Sequence, residues 1–568
     1  TASAMLAEEA FAAAADPTKF PEQLIYVSVW QAQRLFWNNS TWWDKDLPNK
    51  IANGAPELAV FDVGGYNTLL GKSYGEIAAE SRTNHKSQGF GSTPTRGEQK
   101  EYLELKKGTA IQNSDIFSGI QLGWERYRQG ADIQNTINSI ISNYDILHPE
   151  KSVDALLKVY GQLKLIPEDQ LIQYKKQQVQ KIIVACLGLW LEPVAEKDMV
   201  ANGDNLNIVS TSLKRVDYPL SLESITILGK EYKSGEILPA GINQIDSFKI
   251  VVPEGISSSP YWLNGAYDGV FNVEDRKLIG KAENDPAIIF TYNVKVGNEI
   301  FAINRGVVYK ETDAVKGEIY TPLAVVPRAI VHADSYNLIY TDSLSKNFPL
   351  LIKSYASDTI AGNVRLFGNR ANISSKAYTL NKNGESATLN FTITPPKQNG
   401  TKDIGLNISG NNENETLGES AKKIRVISYD HIPRQVVVED AKLHVVKFDA
   451  MPSTKKVLYI DGAGDLVDES LKQIGVNITT IKPEDMNAAL LQQYDVAIIG
   501  VRAFNTSKVL ADNNAQLMEF VNAGGTVIAQ YSTNWDMYLE KIGPYNFKIT
   551  RTRVTDENSP VEFLLPEH

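Results

Sequence analysis

The sequence predicts a multidomain chain combining α/β and all-β folds, and three observations predict it. The 568 residues suit about four domains at roughly 150 residues each. The hydrophobic texture changes twice: helical stripes to about residue 200, short alternating runs from about 205 to 445, then strand-like runs separated by helical stretches. The composition, 43% apolar and 22% charged, is that of packed cores rather than of a disordered chain. Net charge is −10, which argues against a general nucleic-acid binder. A single cysteine, Cys186, excludes a disulfide framework and a cysteine-rich zinc module. The longest apolar run, Ile182 to Leu191, is about half of what a membrane-spanning helix needs.

Residues 1–110 and 111–200 read as two helical regions with one strand-like interruption. An Ala-rich helix carries Met5, Leu6, Glu9 and Phe11 and stops before Asp16-Pro17. Arg34-Leu-Phe-Trp-Asn is a strand of large apolar residues. Ser73-Tyr-Gly-Glu76 has capping-box spacing and starts a helix running towards His85. Gly97–Lys107 is expected to form a helix closed by Gly108, with further helices over Ile116–Gln129, Ile133–Tyr144, Val153–Leu165 and Glu168–Leu191. These apolar stripes read as core-packing faces.

After Pro193, runs such as Leu206-Asn-Ile-Val-Ser, Phe248-Lys-Ile-Val-Val and Leu389-Asn-Phe-Thr-Ile alternate between turn clusters, the spacing of β-sandwiches. Two sandwiches are expected, at 205–318 and 319–448, divided near Gly317-Glu-Ile-Tyr-Thr-Pro. Thr394-Pro-Pro and the Asn-rich stretch from Gly410 read as exposed connections. In 452–568, the runs beginning Lys455-Lys-Val-Leu-Tyr-Ile, Asp495-Val-Ala-Ile-Ile and Gly525-Thr-Val-Ile-Ala alternate with helical stretches, which predicts an open parallel α/β sheet. Both chain ends read as cuts through a longer protein.

The six histidines, His85, His148, His332, His431, His444 and His568, make no closely spaced pair beside a carboxylate, so local spacing assembles no zinc site. His85-Lys-Ser87-Gln88-Gly-Phe-Gly gathers an imidazole, a cation, a hydroxyl and an amide at a helix end. It reads as a ligand-contacting loop or as an ordered helix cap. Trp37, Trp42 and Trp43 form either a sugar-stacking platform or a core corner. Asn39-Ser-Thr41 has the form of a glycosylation sequon, a triplet common by chance. Asp461-Gly-Ala-Gly-Asp465 follows a strand but lacks a P-loop Lys, and its carboxylates repel phosphate, so it reads as a structural turn. The terminal domain is expected to be flavodoxin/amidotransferase-like; Gly500-Val-Arg502 stands at the strand end where α/β folds of the glutamine-amidotransferase kind carry a nucleophilic Cys, and it has no Cys, so that chemistry is absent. Cys186 reads as an inert buried thiol.

Taken together, Thr1-Ala-Ser-Ala-Met-Leu-Ala-Glu-Glu-Ala-Phe, Arg34-Leu-Phe-Trp-Asn, Asp62-Val-Gly-Gly-Tyr-Asn, Gly71-Lys-Ser-Tyr-Gly-Glu and His85-Lys-Ser-Gln-Gly-Phe-Gly resemble the PIG-L (LmbE-like) deacetylase family, in its long multidomain bacterial form. Pro260-Tyr-Trp-Leu, Gly317-Glu-Ile-Tyr-Thr-Pro-Leu, Gly500-Val-Arg-Ala-Phe-Asn and Arg553-Val-Thr-Asp-Glu resemble the appended domains of those members. The resemblance implies that residues 1–110 are the C-terminal part of a Rossmann-like catalytic domain. It also implies a zinc-dependent hydrolase that removes acetyl groups from an N-acetylated amino sugar, with metal-bound water as nucleophile. The family's His-Pro-Asp-Asp motif is absent from this chain. No metal ligand carries over; the resemblance places the catalytic residues upstream of Thr1 and leaves zinc to the full-length parent. His85, Ser87, Gln88, Trp42 and Trp43 remain as candidate substrate contacts. The implied partners are a glycan and the missing N-terminal half, without nucleic acid or a transmembrane segment, in the periplasm or at the cell surface. The helix carrying Met5, Leu6 and Phe11 is then expected to expose its apolar side, where burial of each side chain is worth roughly 1.5–3 kcal/mol. The competing expectation is a non-catalytic glycan-binding or scaffolding protein.

Overall fold

The computed structural model describes residues 2–265, 267, 269–368, 371–410, 418–451, 453–539, 541–545, 547–552, 554–556 and 558–567. Most of the Asn-rich stretch, together with Arg553 and His568, lies outside them, as do the side chains of Ser87 and 371–373. The chain is multidomain and β-rich, and it divides into one unit of 1–326 with 424–438 and another of 327–423 with 439–568.

In the first unit, α1 (Ala2–Ala13) has no buried residue. A three-stranded antiparallel sheet follows, in the order β1 (Arg34–Asn39), β5 (Lys100–Gly108), β2 (Leu58–Asp62). Between its strands lie α2 (Leu47–Ala52), the short pair β3 (Tyr66–Asn67) and β4 (Lys72–Ser73), and α3 (Tyr74–Thr83). Leu47, Leu58 and Tyr102 form its small core.

The helix expected over 97–107 is therefore strand β5. Hydrogen-bond partners on both edges, β1 and β2, outweigh the modest helix preference of its Glu, Leu and Lys residues. Gly108 ends this strand at φ +102°, where an added Cβ would stand 2.1 Å from the Gln33 carbonyl. The helix expected over Ile116–Gln129 reduces to one turn at Trp124–Arg126. The Arg34 guanidinium organises the preceding loop, donating to the carbonyls of Thr109 (2.8 Å), Ala110 (3.1 Å), Ile116 (2.7 Å) and Ser118 (2.6 Å).

Three helices follow: α4 (Gly130–Ser142), α5 (Val153–Lys164) and α6 (Gln170–Cys186). Asp169 caps α6 by accepting from the Ile172 amide at 2.7 Å. The helix expected to reach Leu191 stops earlier because Gly188 adopts φ +54° and the Leu189 amide turns back to the Val184 carbonyl.

The first sandwich begins at once, inside the stretch expected to be helical, with β6 (Trp190–Ala195) and β7 (Met199–Ala201). One sheet runs β11 (Gln244–Val251), β8 (Asn205–Leu213), β6, β14 (Val308–Asp313), β15 (Gly317–Pro322). The other runs β10 (Lys230–Ile237), β9 (Leu220–Ile227), β12 (Ile289–Val296), β13 (Glu299–Gly306). Gly317–Pro322, expected as a boundary, is an edge strand of the first sandwich, and β16 (Ala324–Val326) pairs with β7 beyond it. Alternation puts Leu206, Ile208, Ser210 and Ser212 of β8 inside. Phe248 meets Phe290 edge-on across the sheets, and Ser210 bonds the Tyr292 hydroxyl at 2.6 Å. Helices α4–α6 join the same continuous core through Ile133, Leu163, Ile172 and Ile183.

In the second unit one sheet runs β17 (Ala329–His332), β19 (Lys346–Ser354), β22 (Ser386–Ile393). It shares a core with the sheet β18 (Asn337–Tyr340), β27 (Lys442–Lys447), β23 (Gly400–Gly410), β20 (Ile360–Gly368), β21 (Ala371–Leu380), to which β24 (Glu419–Ser420) adds. β25 (Lys422–Tyr429) and β26 (Ile432–Asp440) pair as a separate hairpin, nearly all of which belongs to the first unit. The last sheet is parallel, in the order β29 (Asn477–Ile481), β28 (Lys456–Ile460), β30 (Val496–Ile499), β31 (Thr526–Ala529). β29 follows α7 (Val467–Gln473) and had not stood out as a strand, because only Ile478 and Ile481 interrupt its polar residues. Val457 to Ile460 are all buried, as a strand covered on both faces requires. No described helix is long and apolar enough to cross a membrane.

Candidate functional site

Two clusters in the first unit hold the sequence-predicted site residues. The first is the tryptophan group at the end of β1. Trp37 and Trp43 lie nearly parallel, 8° apart with centroids 6.2 Å apart, and Trp42 tilts against Trp43 at 6.0 Å. All three are exposed, Trp42 by 85%, so the group is a surface platform and not a core corner. Asn39, 2% exposed, anchors it. Its amide oxygen accepts from the Trp43 indole at 2.7 Å and the Ser40 amide at 2.8 Å, and its nitrogen donates to Glu104 at 3.0 Å. That engagement leaves the Asn39 amide unavailable as a glycosylation acceptor in the folded chain.

Lys106 Nζ stands 4.9 Å from the Trp37 ring centre and pairs with Glu104. It gets there through a register shift: Leu35 faces Lys107 while Phe36 faces Leu105, leaving Lys106 as the extra residue of a bulge. Lys106 and Glu104 did not emerge as site residues from the sequence. Their place depends on β5 pairing with β1, and 97–107 carries a helical composition.

The second cluster surrounds α3. Ser73 accepts from the Glu76 amide at 3.2 Å and Glu76 accepts from the Ser73 amide at 2.9 Å, a complete capping box. Hydrogen bonds from the Ser73 amide and the Arg96 side chain hold the Glu76 carboxyl below the usual carboxylate range. A cleft of about 470 Å³ beside the helix is lined by Lys72, Glu76, Glu80, Asn84 and Arg96. Asp62 closes the loop by accepting from the amides of Gly64 and Gln99, both at 2.9 Å, which lowers its own pKa.

His85 precedes a single 3-10 turn, Lys86–Gln88, that ends at Gly89 with φ +65°. The His85 ring lies 6.4 Å from Phe90, which the Arg82 guanidinium covers at 5.3 Å. His85 and Gln88 are exposed, and neither lines the cleft. An aromatic ring and a guanidinium are not zinc donors, so the surroundings of His85 do not fit that metal. Among the described residues, no three His, Cys, Asp or Glu gather as a metal site. No hydrogen bond, ion pair or ring contact among the described residues joins the tryptophan and His85 clusters.

The remaining candidates are structural. Cys186 is buried, and burial pushes its thiol pKa up. Asp465 accepts from the Tyr459 hydroxyl (2.6 Å) and the amides of Val467 (3.0 Å) and Val501 (3.2 Å), so Asp461–Asp465 is a turn pinned by its own carboxylate. Arg502 begins a short helix in the left-handed region, φ +57°.

No protein-family description matches the chain, and no curated protein matches it. Among solved structures, a CARDB domain from Pyrococcus furiosus, determined in complex with di-metal ions, is 14% identical over 22% of this chain and 92% of its own, with a TM-score of 0.14. Red sea bream transglutaminase is 9% identical over 50% of this chain and 34% of its own, with a TM-score of 0.23. The α-2-macroglobulin of E. coli is 11% identical over 46% of this chain and 17% of its own, with a TM-score of 0.16. Likeness at this level carries no argument about activity.

Proposed function

We propose that this chain engages a glycan containing N-acetylated amino sugars through the platform of Trp37, Trp42 and Trp43. It does so as the non-metal-binding part of a zinc-dependent N-deacetylase of the PIG-L type, working in the periplasm or at the cell surface. The observation that carries this reading is the exposed, near-parallel pair Trp37 and Trp43. Flat apolar rings suit the C–H faces of sugars, and anchored indoles lose little freedom on binding. The motif resemblance supplies the deacetylase, with residues 1–110 as the closing part of a Rossmann-like catalytic domain. The uncovered apolar side chains of the N-terminal stretch, Met5 at 67% and Trp30 at 69% exposure, support a partner surface there. Zinc and its ligands belong, in this proposal, to the N-terminal half of the parent protein.

Calorimetry with chitooligosaccharides tests the platform. Trp43→Ala is expected to weaken binding about tenfold, equal to ~1.4 kcal/mol. Equal binding by the variant, or none by the unaltered chain, overturns the reading. The same platform would serve a non-catalytic glycan binder. Acetate release and zinc content of the protein made from the full coding sequence separate the two: both present supports the deacetylase, both absent supports the binder.

A further inference from the structure

Helices α4, α5 and α6 enclose a second cleft, of about 500 Å³, within the usual range for small-molecule pockets. Its floor is buried: Leu156, Val159 and Leu163 of α5 are 6%, 2% and 0% exposed. α4 brings Ile137 and Ile140, and α6 brings Val179. Packed helices ordinarily interdigitate without such a gap. The rim adds two cations, Arg126 and Lys175. Lys175 is half-buried; its amine meets the Gln178 amide oxygen at 2.9 Å and the Tyr174 ring at 5.7 Å. Arg126 donates to the Gln121 carbonyl. Neither forms an ion pair with a described carboxylate. Of the acids nearby, Glu168 pairs with Lys176 and Glu125 accepts from the Gly123 amide, while Asp169, which accepts from the Ile172 amide and the Tyr127 hydroxyl, lies within electrostatic reach of Arg126.

An apolar, partly enclosed slot with two cations at its mouth matches a single-chain amphiphile with an anionic head. We infer that this cleft binds an alkyl carboxylate, its chain lying over the accessible Ile137, Ile140 and Ile182 above that floor and its carboxylate meeting Lys175 and Arg126. The inference is independent of the glycan reading, because the cleft and the tryptophan platform share no residue.

Titration calorimetry with dodecanoate, below its micelle concentration, tests it. Saturable binding at one site is expected, strengthening roughly fourfold per added methylene from octanoate upwards. Lys175→Ala and Arg126→Ala, both on the rim, are expected to weaken dodecanoate about tenfold while leaving dodecanol unchanged. A dodecanoate bearing a photoreactive diazirine on its chain locates the site: adducts within 122–182 support the assignment. Adducts confined to the exposed apolar stretch 2–43, equal affinity for dodecanol and dodecanoate, or no saturable binding overturn it.

Discussion

Tyr459 shows how one hydroxyl can organise a turn. It sits in the parallel sheet, 1% exposed, donates to Asp465 and accepts from Gln530 at 2.8 Å. Burial, then the contact with Asp465, pushes its pKa up. Burial works against the Asp465 carboxylate, but the hydrogen bonds from Tyr459, Val467 and Val501 outweigh it and lower its pKa. Tyr459→Phe leaves a partly buried carboxylate and an amide short of a partner, and is expected to cost about 1–3 kcal/mol in denaturant unfolding. Linkage gives the pH dependence. A lowered folded-state pKa means that the unfolded chain binds the proton more tightly. Asp465 therefore stabilises fully above the ordinary carboxylate value near ~4, and loses this contribution as pH falls through its lower folded value. Asp465→Asn should flatten that acid limb of the stability curve; an unchanged limb would assign it to other carboxylates.

At the scale of elements, the capping box of α3 was legible because its signal is local: a hydroxyl and a carboxylate three residues apart at a helix start. Ser73→Ala should destabilise by about 1 kcal/mol, visible as faster amide exchange in the first turn of α3. Strand β5 was not legible, because its conformation is decided by partners that sequence spacing does not reveal. Its bulge decided part of the candidate site as well, since Lys106 reaches Trp37 only through the shifted register. The end of α6 was written locally in Gly188, yet an apolar run through Leu191 masked it. The continuous hydrophobicity of Ile182–Leu191 serves a helix and then a strand, both facing one core.

For the molecule, the merging of helices α4–α6 with the first sandwich is the main departure from a string of separate modules. A shared core makes the helices and the sandwich one cooperative piece. Ile183→Ala, at a position with 0% exposure, is expected to cost about 2–5 kcal/mol. It should lower the melting of helical and sheet signals together. Separate transitions for the two would show that the core is not continuous in energy.

The sequence by itself determined that helices within 130–186 precede alternating strands and then a parallel α/β sheet, but not the antiparallel sheet of residues 34–108. These follow from periodicity, caps and turns that act within a few residues. It also named the tryptophans and His85. Only the tertiary structure decided which of these meet. It brought Trp37, Trp42 and Trp43 into one exposed platform backed by Asn39, Glu104 and Lys106, left His85 against Phe90, and opened a cationic-rimmed slot between three helices. The physical reason is that pairing register and helix packing are contacts between residues far apart in the chain, and their energies depend on neighbours that no local pattern specifies.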